Sequence, residues 1–311
     1  MFDPVVWFFV LGFMAGLARA DLRLPNAVYE LVSMVLLLAI GLKGGVELAR
    51  QPVAGLVPEI LVVLSIGILL PLIVFPVARF LGRLKREDAA ALAAHYGSVS
   101  VGTFAVVVAY LGTRGIFYER QAPLWVVLLE VPAIIVGILL ARQGTGPTRW
   151  SPLLRELLLG KSVVLLVGGL AIGWIAGDGG LGGIDKLFFD LFKGVLALFL
   201  LEMGLIAAAE ISGLKRHAPF LIPFGILMPC LAASIGTAAG RLVGLSTGGT
   251  VVLATLAASA SYIAAPAAFR TAVPKANPAL SLATSLAVTF PFNILVGIPL
   301  YDRAIHWLLA N

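Results

Sequence analysis

The sequence predicts an all-α membrane protein with ten transmembrane helices, arranged as a five-plus-five inverted repeat with two broken, crossing helices. Three observations predict this class. The chain of 311 residues is 60% apolar and only 12% charged, whereas soluble domains carry roughly 25% charge. Ten of its segments are apolar over most or all of the length that a bilayer requires. Two of these segments are interrupted midway by hydroxyls and small residues, which lipid tolerates only where the exposed backbone lines a protein-enclosed site.

The ten predicted spans follow one another with short connections. They cover residues 4–18, 28–49, 57–82, 88–112, 122–142, 161–177, 189–211, 219–243, 249–271 and 279–301. Several contain prolines, which membrane helices accept where neighbours satisfy the freed carbonyls. The polar stretch from Gln143 to Arg149 separates the fifth span from the sixth. We therefore expect a first repeat at residues 1–142, a cytoplasmic linker at 143–160 and a second repeat at 161–311.

Matching motifs in the two halves indicate an internal repeat. Ser98 and Ser259 are 161 positions apart, as are Ser100 and Ser261, and Pro132 has a counterpart in Pro291. Because each half has an odd number of spans, the second half must enter the membrane inverted.

The distribution of basic residues predicts the orientation. Of the 22 Lys and Arg residues, 14 fall in the loops that follow the odd-numbered spans, and such an excess marks the cytoplasmic face. Both termini are then outside, and the net charge of +6 needs no nucleic-acid partner. We expect a multi-pass protein of the plasma membrane, which in bacteria is the inner membrane.

The two interrupted segments predict a binding site for a small anion. Half-helices starting near Val101 and Ile263 would approach the midplane from opposite sides, each with its N-terminus inward. A helix N-terminus carries about half a positive charge and several unpaired N–H donors. The alternative is that small residues here only let helices pack closely. The predicted substrate-binding residues are Gly97, Ser98, Val99, Ser100, Ser259, Ala260, Ser261 and Tyr262.

A carboxylate beside a proline kink predicts the coupling-ion site. Glu130 directly precedes Val131-Pro132, and a kink there frees backbone carbonyls next to the carboxylate, a set of hard oxygens that suits Na⁺. The alternative is a protonated Glu130 or one that caps a neighbouring helix. Near the first break, His95 is either a proton-carrying group or a packed histidine that donates to a carbonyl. The predicted coupling-ion residues are Glu130, Thr103, Thr289 and Asn293.

Enzyme motifs fail on inspection, so we expect no enzyme and no cofactor other than Na⁺ as the coupling ion. Gly160-Lys161-Ser162 resembles the end of a P-loop, but position 155 is Arg where that motif requires Gly. The three His and the single Cys are scattered, which argues against a metal site beyond Na⁺.

Five motifs together resemble the sodium-dependent bicarbonate transporter family, best known from cyanobacteria. The motifs are the segments 95–100, 130–134, 259–266, 276–278 and 297–300. The resemblance implies a core domain of spans 3–5 and 8–10 and a gate domain of spans 1, 2, 6 and 7, in a homotrimer. It also implies bicarbonate between the breaks with Na⁺ alongside, and a cytoplasmic PII-like regulator in some members. The fold is shared with sodium–proton antiporters and bile-acid symporters.

Two departures from the cyanobacterial pattern suggest a non-cyanobacterial branch. Those members tend to have an acidic residue where Tyr262 stands, and a longer loop between the halves. The function we expect is sodium-coupled uptake of bicarbonate or a similar small anion by alternating access. The alternatives are an organic-anion/sodium symporter or a sodium–proton antiporter of the same fold, or a passive anion channel.

Overall fold

A computed structural model of the chain describes residues 3–22, 24–50, 53–142, 150–177, 179–214 and 217–310. Within these ranges the regular structure is helical, and no β-strand occurs. The helices are α1 (Pro4–Leu17), α2 (Asn26–Leu48), α3 (Val57–Pro76), α4 (Arg86–Gly97), α5 (Val101–Thr113), α6 (Ala122–Arg142), α7 (Trp150–Leu158), α8 (Lys161–Ala176), α9 (Phe192–Glu210), α10 (Ala218–Leu242), α11 (Thr247–Ala257), α12 (Ala264–Ala272) and α13 (Pro278–Leu308).

Seven helical segments among the described residues are long and apolar enough to cross a membrane. They are Asn26–Leu48, Val57–Leu81, Arg86–Thr113, Ala122–Arg142, Phe192–Leu214, Ala218–Leu242 and Pro278–Leu308. The shorter apolar helices α1, α8 and α11 lie where the remaining three spans are predicted. The all-helical class is therefore confirmed for the described residues, and seven of the ten predicted spans are helices of membrane-spanning length.

Glycines bring two pairs of helices into close backbone contact. Helix α1 packs along α9, and α2 packs along α8. In the first pair, a Cβ added at Gly12 would overlap the carbonyl of Leu201. In the second pair, a Cβ at Gly169 would lie 3.0 Å from the Cα of Gly41. Such small-residue contacts allow the close backbone approach that stabilises helix pairs in lipid.

Six of the other helices form two groups of three, one group in each half of the chain. Helices α3, α4 and α6 pack on one another, and so do α10, α11 and α13. The largest fully buried side chain, Trp125, belongs to the first group. Its indole N–H donates to the buried carboxylate of Glu59, which also accepts from Gln121 Nε2 at 3.0 Å.

Helices α3 and α13 contain wide turns that the apolar pattern did not predict. Helix α3 continues beyond Pro76 as a π turn over Val77–Leu81, and α13 has π turns at Thr284–Thr289 and Asn293–Gly297, on either side of Pro291. A proline cannot donate to the carbonyl four residues earlier, so the neighbouring turns rearrange. Hydropathy does not register such a change because it leaves the apolar content unaltered.

The segment between the predicted repeats contains a helix. Residues 143–149 lie outside the described residues, but α7 occupies Trp150–Leu158 within the range expected to be a linker. The linker is therefore not a simple connection. Leu154 and Leu157 are one turn apart, and the buried Leu157 packs in the same cluster as Phe269 of α12.

Candidate functional site

The first break lies between α4 and α5 and leaves a short extended segment. Ser98 has φ −89° and ψ −179°, and Ser100 has φ −108° and ψ 116°. Ser100 then caps the new helix, because its Oγ accepts the N–H of Thr103 at 3.0 Å. A Cβ at Gly97 would lie 2.5 Å from Pro71 Cδ. Only glycine therefore fits where the helix ends.

The second break separates α11 from α12. Helix α11 ends at Ala257 and α12 begins at Ala264, so the predicted span 249–271 is two helices with six non-helical residues between them. Ser261 Oγ accepts the N–H of Ala265 at 3.3 Å in the first turn of α12. The amide of Asn293 donates to the carbonyl of Ala258 at 2.8 Å, which satisfies a carbonyl freed by the end of α11.

Two hydrogen bonds join the breaks to each other. The backbone N–H of Ser100 donates to Ser259 Oγ at 3.0 Å, and the backbone N–H of Ser261 donates to the carbonyl oxygen of His95 at 2.8 Å. The structure thereby brings the two predicted motifs to one junction. All eight predicted substrate-binding residues are buried there: Gly97, Ser98, Val99, Ser100, Ser259, Ala260, Ser261 and Tyr262.

Several polar atoms at the junction are buried without a partner. In the described part of the chain, Ser98 Oγ, His95 Nε2 and Glu130 Oε2 are among the enclosed side-chain atoms that make no hydrogen bond. None of these three side chains is more than 3% exposed. Buried polar groups are almost always hydrogen-bonded in proteins, and exceptions point to a functional role. Their concentration at the breaks favours a polar guest.

Aromatic side chains enclose the junction on the α5 side. The hydroxyl of Tyr262 lies so close to the first turn of α5 that a Cβ at Gly102 would be 2.5 Å from it, and 2.8 Å from the ring of Phe199. Tyr262 also packs edge-on against Phe290, with ring centroids 5.7 Å apart. Sequence reasoning missed Gly102, Phe199 and Phe290. Only Gly102 could have been noticed in the sequence, because a glycine in the first turn of a helix indicates that another group approaches the backbone there.

Glu130 lies level with the first break. Helix α6 runs along α4, where Gly137 faces Ala94 and Ala133 faces Gly97. Position 130 precedes Ala133 in α6 by three residues, a rise of ~4.5 Å. The carboxyl group therefore lies at the depth of the residues that follow Gly97, as the sequence interpretation requires.

The three residues predicted to bind Na⁺ together with Glu130 make hydrogen bonds to other parts of the protein. Thr103 Oγ1 donates to Ser100 Oγ at 2.9 Å. Thr289 Oγ1 donates to the carbonyl of Gly225 at 2.8 Å and also meets the hydroxyl of Tyr96 on α4. Asn293 Oδ1 accepts from Tyr301 at 2.9 Å. A carbonyl or hydroxyl oxygen has two lone pairs, so these contacts leave some ligand capacity at each oxygen.

The side chains of His95 and Glu202 each have a backbone hydrogen-bond partner. His95 Nδ1 lies 2.7 Å from the carbonyl of Ala91, one turn earlier in α4. Glu202 of α9 accepts the N–H of Leu24 at 3.2 Å, which links α9 to the segment before α2. No cluster of three or more His, Cys, Asp and Glu side chains in the described ranges is placed to hold a metal ion.

Two cavities approach the breaks from opposite ends of the α4–α5 segment. One of about 500 Å³ is lined by Phe104 and Val108 of α5 and by Lys43 of α2. The other, of about 140 Å³, is lined by His95 of α4 and Arg270 of α12. The junction lies between a large cavity on the α5 side and a small one on the α4 side.

Charges at the rim of the large cavity leave it positive. The carboxylate of Glu47 pairs with Arg120 at 2.8 Å, and Lys193 pairs with Asp3 at 3.4 Å. Lys43 also lines the cavity, where the carboxylate of Glu47 partly offsets its charge. The lining therefore contains three cations, Lys43, Arg120 and Lys193, and one carboxylate, Glu47.

A comparison with protein families identifies one that spans the chain. The model of the Na⁺-dependent bicarbonate transporter superfamily matches residues 4–306, which include both breaks and the helices around them. No curated protein matches the chain.

Proposed function

The chain belongs to the Na⁺-dependent bicarbonate transporter superfamily, and we propose that it is a secondary active transporter that takes up bicarbonate, or a similar small anion, together with Na⁺ by alternating access. One observation carries the proposal. Two helix starts meet at a buried junction, where the N–H of Ser100 donates to Ser259 and the N–H of Ser261 donates to His95. Neighbouring polar atoms have no partner in the described part of the chain.

Contacts at the far ends of the broken helices support the opposed arrangement of their N-termini. The N–H of Ser246, at the start of α11, donates to Glu119 in the loop after α5. The N–H of Asn277, beyond α12, donates at 2.7 Å to Asp88 at the start of α4. Helices α5 and α12 therefore run from the junction toward opposite faces, each with its positive N-terminal end inward. Facing ends of this kind suit one small anion.

The pairing of helices supports an inverted repeat. If residues 1–142 correspond to residues 161–311, α1 corresponds to α8 and α2 to α9. The contact of α1 with α9 then has its counterpart in the contact of α8 with α2, and both occur. We propose a gate domain of α1, α2, α8 and α9 and a core domain of α3–α6 and α10–α13, in which the two broken helices cross.

The anion would be held chiefly by backbone groups. A helix N-terminus offers unpaired N–H donors, and the start of α12 lacks a side-chain cap at its N-cap residue Ile263. The hydroxyl of Ser98 has no partner in the described ranges and can turn toward a guest. Because no Lys or Arg is among the eight buried residues, the site suits a monovalent anion better than one with several charges.

We propose that Na⁺ binds beside the anion with Glu130 as its charged ligand and with oxygens of Thr103, Thr289 and Asn293. Glu130 is 3% exposed, and position 130 of α6 is level with the first break. An acid is expensive within a membrane span and marks a functional group by default. Hard oxygen ligands suit such a cation, and a bound Na⁺ would offset the charge of the anion.

Alternating access would use the two cavities in turn. The large cavity ends at Phe104, one turn into α5, and the small one ends at His95 of α4. Movement of the gate domain relative to the core would open one cavity to the junction while closing the other. Lys43 would draw the anion into the large cavity, because a charge in a low-dielectric cleft focuses the field on oppositely charged solutes.

The membrane, the orientation and the oligomeric state are proposed from the distribution of Lys and Arg and from the family resemblance. We place the protein in a bacterial inner membrane with both termini outside, as a homotrimer. A cytoplasmic PII-like regulator is proposed on the resemblance alone, and residues 143–149 of the linker lie outside the described residues. The mass of the detergent-solubilised protein would test the trimer.

The experiment that tests this function is uptake into proteoliposomes. Radiolabelled bicarbonate should accumulate when Na⁺ is high outside and low inside, and should not accumulate when K⁺ replaces Na⁺. Sodium-independent equilibration would instead indicate an anion channel. Uptake of a larger organic anion but not bicarbonate would indicate an organic-anion symporter, and proton efflux driven by Na⁺ would indicate an antiporter.

A further inference from the structure

The large cavity has room for a guest bigger than the anion proposed to bind at the breaks. It encloses about 500 Å³, which lies within the range of about 300–1,000 Å³ that is typical of sites for drug-sized ligands. Its walls come from α2 and the start of α9 on one side, and from α5 and the loop after α5 on the other. A small inorganic anion would leave most of this volume to water. The size therefore favours an organic guest.

One part of the cavity wall is apolar and rich in aromatic rings. Phe188, Phe189 and Phe192 line it from α9 and the turn before α9. Tyr118 and Val108 line it from the loop after α5 and from α5 itself. All five residues are only partly buried, so they retain apolar surface that a guest can cover. Covering aromatic surface favours a guest with a flat, apolar ring system.

Another part of the wall has an excess of positive charge. Glu47 pairs with Arg120 at 2.8 Å and with Arg50 at 2.9 Å. Its carboxylate also partly offsets the charge of Lys43, one turn earlier in α2. One carboxylate is therefore shared among three cations. Lys43 and Arg120 also repel each other, and an anionic group bound between them would relieve that repulsion.

The surplus of charge lies on one side of the cavity. Lys193, the third lining cation, pairs with Asp3 at 3.4 Å. Lys43 and Arg120 share Glu47, which is the one carboxylate among the described lining residues. These three side chains together leave one positive charge. A guest with one negative charge matches this surplus, and a neutral or cationic guest does not.

We propose that the large cavity binds an aromatic carboxylate, with the carboxylate group near Lys43 and Arg120 and the rings against Phe188, Phe189 and Phe192, and that this guest blocks the transporter and is not carried by it. The guest would contact the proposed gate domain through α2 and α9 and the proposed core domain through α5. A ligand that contacts both domains stabilises the conformation in which they enclose it. Binding at this site is independent of the proposed function, whereas the block rests on it.

Binding to the purified protein tests the site without reference to transport. The probe is naphthoate, and naphthamide is its neutral counterpart of the same shape. Isothermal titration in detergent, corrected for partition into protein-free micelles, should show naphthoate binding roughly tenfold tighter than naphthamide. Benzoate keeps the charge and loses one ring, so it should bind roughly tenfold more weakly than naphthoate. Equal affinities for naphthoate and naphthamide would overturn the proposal.

Variants assign the ligand to this cavity. Lys43→Gln should weaken naphthoate about tenfold and leave naphthamide unchanged, whereas Lys186→Gln changes an exposed residue outside the cavity and should affect neither. Phe189→Ala should weaken both ligands, because both rest on the aromatic wall. Leu191→Ala is its matched control, since Leu191 is exposed and does not line the cavity.

Two results with these variants would contradict the assignment. Unchanged naphthoate affinity in folded Lys43→Gln would overturn it, as would equal effects of Phe189→Ala and Leu191→Ala. If Phe189→Ala fails to fold, the comparison of Lys43→Gln with Lys186→Gln still decides the question.

Transport measurements test the block and separate it from the proposed function. Naphthoate should inhibit sodium-driven uptake of bicarbonate into proteoliposomes, and the inhibition should be weaker in Phe189→Ala than in Leu191→Ala. Sodium-driven accumulation of labelled naphthoate, or binding without inhibition, would overturn the block. Protein that binds naphthoate but takes up no bicarbonate would contradict the proposed function and leave the site intact. Uptake of bicarbonate by protein that does not bind naphthoate would do the reverse.

Discussion

The backbone N–H of Ser261 donates to the carbonyl of His95 at 2.8 Å. This hydrogen bond joins the second helix break to the last turn of α4, which precedes the first break. Carbonyls in the last turn of a helix have no intrahelical partner, and α4 ends two residues later at Gly97. Each break thus satisfies backbone groups that the other one frees. Changes at either break should therefore alter the same site.

Bulky residues at the two breaks should have the same effect. Ser100→Leu and Ser261→Leu should each abolish sodium-driven uptake because a leucine would occupy the junction. Ser100→Ala and Ser261→Ala should cost only ~1 kcal/mol, or roughly fivefold in affinity, since the backbone donors remain. Uptake into proteoliposomes at several bicarbonate concentrations measures both effects.

The control for these variants is Ser234→Leu, because Ser234 is exposed on α10 and bonds only within its own helix. It should leave uptake and oligomeric state unchanged. If only one of the two breaks is sensitive to leucine, the anion does not bind between the halves, and the shared site is wrong.

Removing the charge of Glu130 should remove the coupling to sodium. Glu130→Gln keeps the shape of the side chain but cannot offset the charge of Na⁺, so uptake should lose its dependence on external Na⁺ and fall at least tenfold. Glu202→Gln is the matched control, because the carboxylate of Glu202 accepts the backbone N–H of Leu24, and an amide oxygen can do the same. Undiminished sodium-driven uptake in Glu130→Gln would contradict the assignment.

Neutralising the large cavity should weaken capture of the anion. Lys43→Gln should raise the KM for bicarbonate about fivefold with little change in maximal rate, because the field acts on approach and not on the junction. Lys43→Arg should restore the KM. Lys186→Gln removes a charge from an exposed position that does not line the cavity and should have no effect. An equal rise of the KM in Lys43→Gln and Lys186→Gln would indicate that the overall surface charge, and not the cavity, attracts the anion.

Glycine contacts between α2 and α8 should be essential for stability. A Cβ at Gly173 would overlap the carbonyl of Leu42, whereas a Cβ at Gly168 would meet nothing within 4 Å. Gly173→Ala should therefore destabilise the protein by about 1–3 kcal/mol through overpacking, and Gly168→Ala should be neutral. Thermal unfolding in detergent, followed by loss of the folded peak in size-exclusion chromatography, compares the two variants. Equal melting temperatures for the two variants would mean that the contact between α2 and α8 accommodates the added methyl group without loss of stability.

The charge count predicts which face of the membrane each terminus occupies. A small epitope tag at either end should be accessible to antibody on intact cells, because 14 of the 22 basic residues are on the side predicted to be cytoplasmic. Detection only after permeabilisation would reverse the assignment.

The sequence by itself determined the class, the positions of the apolar segments and the positions of the breaks. Helix starts were expected near Val101 and Ile263, and the helices begin at Val101 and Ala264. These features are local. Apolar content over about 20 residues places a span, and a run of hydroxyls and small residues inside it marks the interruption, whatever the rest of the chain does.

Only the tertiary structure decided which groups meet. Ser259 accepts the N–H of Ser100 across 159 residues, and Tyr96 meets Thr289 across 193. Ser259 was predicted to contact the substrate, and its additional role in linking the two breaks was not predicted. The sequence left two roles open for His95, and only the structure shows that its ring turns back toward the carbonyl of Ala91. Such partners follow from helix packing, which is the sum of many contacts between distant residues, and no local pattern in a single sequence records that sum.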